Sequence, residues 1–314
     1  MRYLPDMKFF KFLTLICLVA LLFSGTITTS CSGVASRQNV VDSLFLYLDD
    51  ADIYYNLKEP NKKYYLPYAL SEVSGLTFME PATLLMVEDE GGEVYEYNLD
   101  SSKIVNSIRF TRSGDFEGIE IVDDTVYVLE SNGKIYKFGF TKEDVAIAKK
   151  IKTPLDDRNN TEGLGYDPRL KKLIIATKED GDYDNHKVKG RAVYSVDPHT
   201  GIMDSTELFS ISTTTLTRFF ETVKKQPYEK ERFKFEPSSV AYNPIDKNYY
   251  VLASVGKLLL VVNKDGQIIS SYPILPKVLN QPEGLCFAPN GDMYICSEGE
   301  GDKGFVLRFK MFRK

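Results

Sequence analysis

One phrase, repeated along the chain, constrains the fold more than any other feature of the sequence. "DFEGIEIVDDTVYVLESNG" at 115–133, "NTEGLGYDPRLKKLIIATKE" at 160–179 and "QPEGLCFAPNGDMYICSEGEG" at 281–301 each place a glutamate and a glycine before an apolar run, a turn and a second apolar run. Aligning the chain on this phrase puts Gly75, Gly118, Gly163, Ser239 and Gly284 in one equivalent position, with spacings of 43, 45, 76 and 45 residues. Each unit reads as short strands separated by turn residues such as Gly91-Gly92, Asn132-Gly133, Asp265-Gly266 and Asn290-Gly291. Four antiparallel strands every ~40 to 50 residues is the period of a β-propeller. The expected fold is therefore all-β.

The long spacing of 76 has a local cause, because the polar segment 213–235, "TTTLTRFFETVKKQPYEKERFKF", lacks the alternation of a strand. Read as an excursion it leaves five four-stranded blades, and read as a degenerate unit it makes six. The last unit supplies only three strands before Lys314. An open strand edge invites aggregation, so the propeller is expected to close with an N-terminal strand, for which "KKYYLPYAL" at 62–70 is the candidate.

The first thirty residues resemble a secretory leader: Lys8 and Lys11 precede the uncharged run Phe12 to Phe23, and small residues lead to Cys31. Thr28, Thr29 and Ser30 before Cys31 resemble a lipoprotein processing site, although Thr28 stands where leucine is usual. An ordinary cleavage site beside a cysteine is the alternative. The expected organisation is a leader at 1–30, a tether at 31–50 beginning with a lipid anchor on Cys31, and a propeller domain at 51–314. The stretch "CSGVASRQ" from Cys31 carries no acidic run to signal surface export, so the domain is expected on an outer membrane, facing the periplasm.

Loss of the leader removes three cations and one carboxylate, so the formal charge of −5 becomes −7. An acidic mature chain disfavours a nucleic-acid partner. The absence of Trp argues against tryptophan sugar platforms and Trp-Asp propeller repeats. The two histidines, His186 and His199, both fall in loops of the third unit, and no nucleophile elbow, P-loop, dinucleotide fingerprint or Cys/His metal spacing occurs. Cys286 and Cys296 are the two cysteines beyond the leader and anchor. A two-residue Asn290-Gly291 hairpin would set them on opposite sheet faces, and a one-residue bulge would reverse that answer.

Taken together, "YYNLKEPNKKYYLPYALSEVSGLTF", "EDEGGEVYEYNL", "GDFEGIEIVDDTVYVLESNGKIY", "NTEGLGYDPRLKKLIIATK", "EPSSVAYNP" and "QPEGLCFAPNGDMYICSEG" resemble the SdiA-regulated family of bacterial envelope propellers, from about Tyr54 to Phe312. The resemblance implies the propeller fold and an envelope location, and it carries over no catalytic residues. The Glu-Gly-Leu strands are more distantly similar to esterase-like phytases and other calcium-dependent propeller hydrolases.

In a propeller the first strand of each blade lines the central channel, so Glu117, Glu162 and Glu283 should converge on one mouth, with Ser74 and Ser238 completing the ring. Strand-end residues Asp89, Glu130, Lys178, Ser254 and Glu298 should join them. Crowded carboxylates need a cation, which makes calcium a candidate held by Glu117, Glu162, Glu283, Asp89 and Glu298. The glutamates could instead accept backbone hydrogen bonds between blades, or take part in catalysis. Lys178 reads as an ion-pair partner in the channel. The acidic loop Glu179 to Asp184 lacks the register of an EF-hand and reads as a solvated charged loop. Two functions follow: a lipid-anchored propeller that binds an envelope ligand or protein partner, or a calcium-dependent hydrolase of phosphate or other esters.

Overall fold

The computed structural model describes residues 54–223, 234–299 and 301–312. The leader, Cys31 and the tether lie outside these residues. Local sequence explains the strands: Thr125–Glu130 reads TVYVLE, β-branched and aromatic, and its four central residues are buried.

Five four-stranded antiparallel sheets follow one another as blades. The first holds β2 (Val73–Met79), β3 (Thr83–Glu88), β4 (Gly91–Asn98) and β5 (Lys103–Ser113). The second holds β6 (Phe116–Val122), β7 (Thr125–Glu130), β8 (Lys134–Gly139) and β9 (Lys149–Lys152). β10 (Thr161–Asp167), β11 (Lys172–Thr177), β12 (Arg191–Val196) and β13 (Phe209–Ile211) make the third. β14 (Glu236–Tyr242), β15 (Tyr249–Val255), β16 (Leu258–Val262) and β17 (Ile268–Pro273) make the fourth.

The fifth blade takes β18 (Pro282–Phe287), β19 (Met293–Ser297) and β20 (Phe305–Phe309) from the C-terminal end, and its outer strand is β1 (Lys62–Tyr65). Lys62 pairs with Arg308 and Tyr65 with Phe305. The N-terminal strand thus closes the propeller as the missing fourth strand required. First strands touch in a cycle, β2 to β6 to β10 to β14 to β18 and back to β2.

The core is divided in the same way, because each sheet is apolar on both faces. One buried layer lies between each successive pair of blades: Leu85, Val94 and Phe116 between the first two, for example, and Leu70, Leu84, Met86 and Val306 between the fifth and the first. The excursion after β13 forms helix α1 (Thr213–Thr222), capped by Ser212, whose hydroxyl accepts the Thr215 amide at 3.0 Å. Leu216 and Phe220 on its apolar stripe are buried against the third and fourth blades. This segment covers a seam and does not form a sixth blade.

The turn between β18 and β19 differs from the two-residue hairpin expected. Gly291, at φ 90°, donates to the Ala288 carbonyl at 2.9 Å, and Ala288 donates to that of Asp292 at 2.8 Å. The longer loop shifts the register by one, so Cys286 faces Tyr294. Cys286 and Cys296 consequently share one core layer instead of opposite faces, and both are free thiols.

Candidate functional site

Each blade breaks its pairing at one equivalent point. The ladder skips between Val73 and Gly75, Phe116 and Gly118, Thr161 and Gly163, Pro237 and Ser239, and Pro282 and Leu285. The skipped residues are Ser74, Glu117, Glu162, Ser238 and Glu283 (with Gly284), the ring read from the repeat. A β-bulge re-aims a side chain that regular alternation would bury in the sheet face. Sequence reasoning gave the ring its members without the bulge that turns them.

The residue after each bulge lets the first strands approach. A Cβ added at Gly75 would lie 2.9 Å from Gly118 Cα, at Gly118 2.8 Å from Leu164 Cβ, and at Gly163 2.7 Å from the Val240 nitrogen. In the fourth blade Ser239 takes the glycine position, and its hydroxyl accepts the Leu285 amide of the next blade at 3.0 Å. Glycine is needed here because neighbouring backbone fills the space of a side chain.

The ring divides into two chemistries. Ser74 donates to the Phe116 carbonyl at 2.6 Å, and Ser238 to the Pro282 carbonyl at 2.7 Å, so each serine is spent on the seam with the following blade. The glutamates act on one another through their charges. Burial first, then the Glu162 carboxylate and a hydrogen bond with Asp115, hold the Glu117 carboxyl well above its ordinary value. Burial and the charges of Glu162 and Glu298 push Glu283 up to about 8, despite a hydrogen bond donated by Ser254 at 3.2 Å.

Among the described residues, Glu162 alone of the three glutamates has an ion-pair partner. The Lys178 ammonium is bonded to its carboxylate. Burial still raises the Glu162 pKa against that pull. Burial works against the charge on Lys178, but Glu162 outweighs it, and Glu283 and Glu117 add to the effect. One ammonium therefore faces three carboxylates. Among the described residues no three histidine, cysteine, aspartate or glutamate side chains are grouped to hold a metal ion.

Of the other expected residues, Ser254 and Glu298 act on Glu283, and the rest have partners of their own. Asp89 sits near Glu72, Glu88 and Glu298, and burial with those charges raises its carboxyl to about 6. Its Oδ1 is buried and has no hydrogen-bond partner among the described residues. Glu298 accepts from Gln281 Nε2 at 3.1 Å and stands between Asp89 and Glu283 electrostatically. Glu130 engages Asn132 and Lys134 of its own blade, at 2.8 Å from each. In the acidic loop Asp182 is bonded to Lys187 and to the Val188 amide, at 2.8 and 2.7 Å.

Sequence reasoning missed Asp115 and Glu236, whose charges raise the Glu162 pKa, and a further carboxyl, Glu120. Glu120 lies two residues past the glycine position, where its equivalents are Thr77 and Cys286. It accepts from the Thr77 hydroxyl at 2.6 Å and from the Ile121 amide at 2.8 Å, and burial raises it to about 7. An acid in the middle of the apolar strand "EGIEIV" was the available signal.

The SdiA-regulated family matches residues 60–301. Among solved structures, the fold is similar to the glutaminyl cyclase of Myxococcus xanthus, with TM-score 0.54 and 12% identity, covering 81% of this chain and 97% of that one. It is also similar to the PQQ-bound aldose sugar dehydrogenase of Streptomyces coelicolor, with TM-score 0.50 and 10% identity, covering 81% and 98%. At these identities the likeness is one of fold alone. Curated proteins gave no match.

Proposed function

This chain belongs to the SdiA-regulated family, and we propose that it is a lipid-anchored envelope propeller, facing the periplasm, whose glutamate mouth binds a cationic group of a ligand or partner. The carrying observation is the imbalance at the mouth, where Glu117, Glu162 and Glu283 face the single ammonium of Lys178. Burial, with mutual repulsion added, holds these carboxyls protonated, so a second cation binds by displacing protons and binds more tightly as pH rises. Lys178 is the resident counter-ion, and a ligand cation either joins it or displaces it.

Calcium remains one such cation, although it takes six to eight oxygens. The present grouping meets that demand only if the carboxylates draw together and Lys178 leaves Glu162. An organic amine, which needs two or three acceptors, fits the ring with less rearrangement. The hydrolase alternative requires the same metal grouping and has less support.

Calorimetric titration of the purified domain with calcium chloride and with spermidine tests the reading. Saturable binding of either cation, weakened by Glu117→Gln and by Glu283→Gln and strengthened by Lys178→Met, is the expected result. If neither wild type nor Lys178→Met binds either cation at millimolar concentrations, the mouth is not a cation site.

A further inference from the structure

The outer strands of the first two blades carry cations and no carboxylate. β5 reads KIVNSIRFTRS and β9 reads KKIK, whereas the outer strands of the third and fourth blades, FSI and IISSYP, carry no charge at all. Lys103, Arg109, Arg112, Lys149, Lys150 and Lys152 are all exposed. On a chain of net charge −5 these strands form a segregated basic edge.

The two edges are joined into one surface by the segment between β8 and β9, which lies along β5. The Arg109 amide donates to the Asp144 carbonyl at 2.8 Å, and the Ala146 amide donates to the Arg109 carbonyl at 2.9 Å. Val145, between these anchored residues, is 61% exposed, and Ile147 just beyond them is 95% exposed. Val105 of β5 is exposed as well. Glu143 and Asp144 in the segment, and Glu93 paired with Arg109, leave the cations in excess. Register adds to the charge: Lys152 stands directly opposite Lys134 and Lys149 opposite Lys137, and like charges so placed weaken a ladder. Lysine on an edge strand deters pairing with another chain, but that role calls for no protruding aliphatics.

We propose that this edge of the first two blades rests on an anionic phospholipid surface, with the lysines and Arg112 against headgroup phosphates and Val145 and Ile147 entering the interface. Each basic residue near such a surface adds attraction, and bare aliphatic side chains gain by leaving water. A protein partner fits less well, because the exposed apolar residues of this edge are aliphatic and lack the aromatic anchors that concentrate binding energy. The inference depends neither on the glutamate mouth nor on a lipid at Cys31.

The test is vesicle co-sedimentation of the chain from residue 31 onward carrying Cys31→Ala, so that no attached lipid contributes. It should bind mixed phosphatidylglycerol and phosphatidylcholine vesicles, ignore vesicles of phosphatidylcholine alone, and detach as salt is raised. Lys149→Gln with Lys152→Gln should weaken binding about tenfold or more. Ile147→Asn should weaken it several-fold. All three side chains are exposed, so folding is preserved. Lys264→Gln with Lys277→Gln removes the same charge from exposed positions outside the first two blades and should change little. The proposal is overturned if the protein ignores the anionic vesicles, if either edge variant binds unchanged, or if the control pair weakens binding as much. It is also overturned if soluble polyglutamate binds as tightly as the vesicles, which would assign the edge to an acidic protein.

Discussion

The hydroxyl of Ser74 donates to the main-chain carbonyl of Phe116 across the seam between the first two blades, at 2.6 Å. Ser238 and Pro282 repeat that relationship between the fourth and fifth blades. In both cases the accepting carbonyl belongs to the residue just before a channel glutamate. The two serines therefore fasten the strands that carry Glu117 and Glu283, and the glutamates are left to face the channel.

Ser74→Ala and Ser238→Ala should each cost ~1 kcal/mol of stability, the usual net worth of a buried hydrogen bond, and more where the carbonyl stays dry. Urea denaturation checks this, and the loss should be the same with and without calcium. A cation-dependent loss would mean that the serines belong to the binding site.

The ring should make stability fall as pH rises. Glu117, Glu162 and Glu283 all have folded-state values above the ordinary 4.5, with Glu283 near 8. Above 4.5 the unfolded chain has released protons that the folded protein still holds, so the slope of unfolding free energy against pH is negative. Their stabilisation is greatest in mild acid and is lost as pH climbs through the folded values. Glu117→Gln should flatten the decline between about pH 6 and 9. Melting temperatures of both proteins across that range are the measurement, and parallel curves would count against a buried, repelling ring.

Gly163→Ala should destabilise by about 1 to 3 kcal/mol through overpacking. The added methyl would stand 2.7 Å from the Val240 nitrogen and 3.1 Å from Ser239 Cα, both backbone of the next blade. Gly139→Ala, where a Cβ meets nothing within 4 Å, is the control and should be near neutral in the same denaturation experiment.

Deleting 51–70 removes β1 and should unfold or aggregate the protein, because β20 would lose the partner that pairs with it from Arg308 to Phe305. Deleting 32–45 should leave the melting temperature unchanged. Light scattering and thermal melts separate the two outcomes.

Cys31→Ala should release the domain from membranes if Cys31 carries the lipid. Fractionation of cells that produce the variant reads this directly. A protein that loses its leader yet stays wholly membrane-bound would argue for another mode of attachment.

The sequence by itself determined the repeat, the all-β class, a propeller of five or six blades with an N-terminal strand completing the last, and the residues at the ring position; the structure decided for five. These follow from turn residues and apolar runs whose spacing is local, and from the count of strands left unpaired at the C-terminal end. It also placed Lys178 as an ion-pair partner in the channel. Only the tertiary structure decided which ring members face the channel with charge and which fasten seams, since Ser74 and Ser238 find their acceptors on strands 42 and 44 residues away. The five bulges were equally hidden, because alternation of apolar and polar residues shows strand faces and not the point at which a ladder skips. The one-residue shift at Ala288 to Asp292 moved Cys286 to the face of Cys296 for the same reason: register is set by which amide meets which carbonyl across the sheet, and that choice is made between strands.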